Sequence, residues 1–102
     1  MRALNGGQLL EIREAPTFGE SWSRAVVAGH INPMTESPTL LRIKGLLARN
    51  PHLGSQDVNS PANYRRIRLI PNVNIWYSIV EDDRVIYLEV VSIPDPGRQS
   101  PP

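Results

Sequence analysis

The chain has 102 residues, enough for one core but not two, and its 40% hydrophobic and 21% charged content excludes wholesale disorder. With no cysteine it makes no disulfide, thiolate metal site or cysteine nucleophile. Eleven basic and ten acidic residues leave a net charge of +1, a poor balance for gripping a nucleic-acid backbone except through a local cluster.

No apolar run approaches the roughly 20 residues that cross a bilayer, and the start lacks the apolar stretch of a signal peptide. A soluble, cytoplasmic protein is expected. Residues 1–8 read as a loose lead-in, 9–93 as a single domain, and 94–102 as a proline-rich tail unable to continue a helix or ladder.

Leu9–Glu14 can form a short strand, with Leu10 and Ile12 on one face. Thr17 is placed to open a helix, with Glu20 at the capping-box position. Phe18, Trp22, Ala25, Val26 and Gly29 follow at helical intervals, and the run dies near Asn32-Pro33. A second helix is expected from Ser37, with Pro38 in its first turn and Leu40, Ile43, Leu46 and Leu47 as its apolar stripe. Asn50-Pro51 stops it. A short proline-containing link between the two suggests an antiparallel hairpin.

From Tyr64 the hydrophobic period becomes two. Tyr64–Ile70, Val73–Val80 and Arg84–Ile93 read as strands, separated by Pro71-Asn72 and by the acidic turn Glu81-Asp82-Asp83. Pairing Ile79 with Ile86, Tyr77 with Leu88 and Ile75 with Val90 buries one apolar face. A slip by one would bury Glu89 opposite Ile75. The first hairpin needs an odd loop, because an even one turns Arg66 and Arg68 into the core. The expected fold is α+β, in the order β-α-α-β-β-β, with the helix hairpin covering the apolar face of a small antiparallel sheet.

The reverse face then carries Tyr64, Arg66, Arg68, Asn74, Trp76, Ser78, Tyr87 and Glu89. Arg66 and Arg68 lie about 6.5 Å apart along their strand, and Trp76 lies across from them. Guanidinium forks beside an indole can hold phosphate and stack a base, or accept an acidic segment. The plainer alternative is a solvated sheet face. His30 and His52 have no partners at metal-ligand spacing, so no metal is expected. Ser78 and Tyr87 face each other without a positioned base, which makes no nucleophilic site.

From Leu46 to Ile93 the order resembles the RelE/ParE superfamily of bacterial type II toxins. The likeness rests on the helix stop Pro51-His52-Leu53-Gly54, the arginine-rich strand Tyr64-Arg65-Arg66-Ile67-Arg68-Leu69, the aromatic strand Ile75-Trp76-Tyr77-Ser78, the acidic turn and Val85-Ile86-Tyr87-Leu88-Glu89-Val90. It implies a growth-inhibiting toxin neutralised by a cognate antitoxin. RelE-like members cut messenger RNA on the ribosome, and ParE-like members poison DNA gyrase. Nuclease members usually carry an arginine where Asn74 or Ile75 stands here, and a His, Arg or Tyr after the last strand, where this chain has Ser92-Ile93-Pro94-Asp95-Pro96. The reading is therefore a ParE-like toxin acting by protein–protein contact, with a ribosome-dependent endoribonuclease and a non-toxic binding module as alternatives. Arg65, Arg66, Arg68, Trp76 and Tyr87 are the expected binding face. Arg66, Arg68 and Arg98 are the candidates for any catalytic role, with no cofactor.

Overall fold

A computed structural model describes residues 10–56, 64–80 and 84–93. The lead-in, the acidic turn Glu81-Asp82-Asp83, the tail and Arg98 lie outside the described residues. The elements are β1 (Glu11–Glu14), α1 (Pro16–Val27), α2 (Pro33–Arg49), β2 (Tyr64–Ile70), β3 (Val73–Val80) and β4 (Val85–Ser92). Two helices cover one face of a four-stranded sheet in the order β1-β4-β3-β2. The α+β expectation holds, but the sheet is mixed: β1 joins the antiparallel meander as a parallel neighbour of β4, placing Ile12 beside Ile86 and Arg13 beside Tyr87.

The helix starts differ from those expected. Pro16 occupies the first position of α1, where a fixed φ and a missing N–H cost nothing. No side chain caps this end. The Thr17 hydroxyl donates instead to the Glu89 carbonyl at 2.5 Å, so the capping box with Glu20 does not form. At the other end Gly29 takes a φ of +86°. Its N–H reaches the Val26 carbonyl and that of His30 the Ala25 carbonyl, a Schellman ending.

α2 begins a turn before Ser37. The Asn32 side chain accepts from the Met34 N–H at 3.1 Å, and Pro33 stands in the first position, so the true start carries both a cap and a proline. Pro38 is left inside the helix, where it has no N–H to offer the Met34 carbonyl. Leu40, Ile43 and Leu47 are buried as expected. Leu46 is 43% exposed, and Ala48 is buried instead. A 2.6 Å ion pair between Lys44 and Glu14 joins α2 to β1.

The meander register holds at Ile79–Ile86 and Tyr77–Leu88 and then shifts. Glu89 is an extra residue, so Trp76 faces Val90, and Ile75 faces Val91 rather than Val90. Val91 is the buried residue here. The cause lies in α1. β1 ends opposite Leu88, and beyond that point the helix supplies the partners for β4. Ala15 N–H donates to the Leu88 carbonyl, Thr17 donates to that of Glu89, and the buried Ser21 Oγ accepts from Val91 N–H at 2.8 Å. A bulge frees backbone groups, and two hydroxyls on one helix take them up. Replacing Ser21 with alanine strands the buried Val91 N–H and should cost about 1–3 kcal/mol in denaturant unfolding.

The first hairpin combines a two-residue turn with an odd-loop register. Asn72, at φ +72°, closes the turn at Pro71-Asn72. Leu69 then bulges between the pairs Arg68–Asn74 and Ile70–Val73, which keeps Arg66 and Arg68 off the core face.

Candidate binding face

Three strands and an edge build the face turned away from the helices. Pairing sets Tyr64, Ser78, Tyr87 and Arg13 in one row across β2, β3, β4 and β1, with Arg66 and Trp76 in the next and Arg68 and Asn74 beyond. The Arg66 guanidinium carbon lies 5.6 Å from the Trp76 ring centroid, within cation–π range. The indole N–H donates to Ser92 Oγ at 3.2 Å, fixing the ring from its other side. Ser78 is buried beneath this face and donates to the Glu89 carboxylate at 2.6 Å.

Arg13 is a residue the sequence reading missed. Its guanidinium grips both oxygens of Glu11, donates to the Tyr87 hydroxyl at 3.2 Å, and lies 6.0 Å from that ring's centroid. The hydrogen bond from Arg13 holds the Glu11 carboxyl below its ordinary range. The pair is exposed, so it contributes little to stability. The alternation of β1 contained the signal for Arg13, but it needed the knowledge that β1 lies beside β4.

Among the described residues the ion pairs are Arg13–Glu11 and Lys44–Glu14. Among those residues Arg66 and Arg68 thus stand on the face without a carboxylate partner. Arg65 needs correction as a member of this face. It pairs with Tyr77, so its side chain turns toward the helices, and its Nη1 donates to the Gly54 carbonyl at 2.8 Å and less closely to that of His52. Among the described residues no cluster of three or more His, Asp or Glu could hold a metal.

Tyr77 is wholly buried on the helix side. Its hydroxyl donates to the Pro51 carbonyl and accepts from the Gly54 N–H, each at 2.8 Å. Burial pushes this hydroxyl above its ordinary pKa of 10.0. The fold therefore favours the neutral form, so its contribution is complete below the unfolded pKa and lost as pH rises through the folded one. Unfolding free energy should fall as pH rises above about 10, and Tyr77→Phe should remove that component in a denaturant series.

Neither a protein-family model nor a curated protein sequence matches the chain. Solved structures do. The Escherichia coli DinJ-YafQ toxin-antitoxin complex aligns with a TM-score of 0.62 at 14% identity, over 83% of this chain and 92% of that one. The RelBE2 toxin-antitoxin complex of Mycobacterium tuberculosis gives 0.63 at 15% identity, over 83% and 98%. The RelE-RelB complex of the archaeon Pyrococcus horikoshii OT3 gives 0.61 at 13%, over 83% and 94%. The chain shares the α+β fold of these toxin structures, as its sequence led us to expect. These neighbours are RelE and YafQ structures, and they lend no weight to the ParE-like preference. No helix among the described residues is long and apolar enough to cross a membrane.

Proposed function

We propose that this protein is the toxin of a type II toxin–antitoxin pair, acts in the cytoplasm, and is held inactive by a cognate antitoxin. It engages its target through the outer sheet face, by protein–protein contact. The observation that carries the reading is Arg66 stacked on Trp76 with Arg68 alongside, neither arginine paired to a carboxylate among the described residues. A guanidinium with no carboxylate partner among the described residues, on the face away from the helices, suits an acidic surface. The likeness to toxins solved with their antitoxins supports the antitoxin partner.

The second reading, a ribosome-dependent endoribonuclease, is favoured by the RelE and YafQ character of those neighbours. Arg66 and Arg68 would then meet phosphate charge. Induced expression with and without a co-expressed candidate antitoxin gene product separates the readings. Growth arrest relieved by that product, with intact messenger RNA and failed supercoiling, is the result expected for contact with gyrase. Codon-periodic cleavage would establish the nuclease instead. Normal growth would leave a binding module that shares the fold.

A further inference from the structure

Residues 50–55 link the end of α2 to the outer edge of β2. Asn50 Oδ1 accepts from His52 N–H and turns the chain, and Ser55 then forms an antiparallel bridge with Arg66. Ser55 and Arg66 exchange both backbone hydrogen bonds at 2.8 Å. The preceding residue, Gly54, is held at both of its backbone groups. Tyr77 Oη takes its N–H, and the Arg65 guanidinium takes its carbonyl. Arg65 and Tyr77 are cross-strand partners, so one rung of the sheet grips one peptide segment from two strands. The approach leaves no room for a side chain, since a Cβ on Gly54 would lie 2.7 Å from the Arg66 carbonyl oxygen and 2.8 Å from the Tyr77 ring.

Arg66 therefore has its backbone tied on the outer edge by Ser55, while its side chain projects onto the opposite face over Trp76. We propose that Arg65 and Tyr77 are positioning residues for Arg66. By clamping Gly54 on the helix side they hold Gly54-Ser55 as an added edge of the sheet, and that edge sets the strand from which the Arg66 guanidinium reaches the indole. The clamp thus connects two neighbouring arginines of one cluster, one structural and one displayed. It concerns the placement of Arg66, whichever target that residue meets.

The test uses the full chain carrying Trp22→Phe, which makes Trp76 the sole indole. Into it go Tyr77→Phe, Arg65→Met and Arg65→Lys separately. Amide exchange at Ser55 and Arg66 should quicken about tenfold relative to Ile86 in the first two variants. Trp76 emission should shift to the red as the guanidinium leaves the ring. Arg65→Lys keeps a donor for the Gly54 carbonyl and should restore much of both signals. If Tyr77→Phe does not fold, the two Arg65 variants decide the matter. Exchange at Ser55 and Arg66 that moves only in step with Ile86, with Trp76 emission unchanged, would overturn the proposal.

Discussion

Alanine at Gly54 is expected to destabilise the protein by about 3 kcal/mol or more, lowering Tm by more than about 10 °C. The added methyl would meet the Arg66 carbonyl oxygen at 2.7 Å and the Tyr77 ring and hydroxyl at 2.8 Å. None of these is the free end of a flexible chain. The carbonyl is bonded to Ser55, and Tyr77 is buried with its hydroxyl doubly engaged. Relief requires residues 50–55 to lift away, which breaks the bonds to Tyr77, Arg65 and Arg66 together. Alanine at Gly45 meets nothing within 4 Å, so it should be neutral or slightly stabilising in the same melting experiment. Equal effects at the two glycines would refute the steric account.

The second large effect is functional. Arg66→Glu combined with Arg68→Glu should abolish growth arrest and weaken antitoxin binding by about 100-fold or more, since each position changes from attraction to repulsion of an acidic partner. The fold should survive, with Tm within a few degrees of the parent. Neither side chain belongs to the core cluster, and neither is ion-paired among the described residues. Calorimetric titration with the antitoxin and a growth curve are sufficient measurements. Unchanged arrest and affinity in a folded double variant would remove this face from the mechanism.

Much of this face was readable because a strand's period is two. Once Ile75, Tyr77 and Ile79 are assigned inward, Trp76 must point outward, and burying Ile67 turns Arg66 and Arg68 out with it. The same rule separates Arg65 from its neighbours. Placing Arg65 on the binding face with Arg66 and Arg68 overlooked that adjacent strand residues occupy opposite faces.

Two of the misses share a physical origin in distant partners. The shift from Val90 to Val91 depends on Thr17 and Ser21, which lie on another element and complete the hydrogen bonds a bulge leaves open. Nothing within Val85–Ser92 announces it. The parallel neighbour of β4, and with it the arrival of Arg13 beside Tyr87, is likewise a tertiary fact. The start of α2 is a different case. Asn32-Pro33 is a proper opening signal, but Pro38 looks equally like a first-turn proline, and local rules do not rank the two.

The pairing of β1 with β4 bears on how the molecule assembles. Arg13 and Tyr87 meet across 74 residues of chain, whereas the β2–β3 turn joins residues close in sequence. Closing the longer loop costs more entropy before any contact repays it. The meander can therefore organise early, and β1 can dock only after the last strand has found its place. Docking of this kind is the step most exposed to reversal. Changes at the β1 seam should hasten unfolding more than they slow folding, making that edge the point from which the molecule would come apart in the cell.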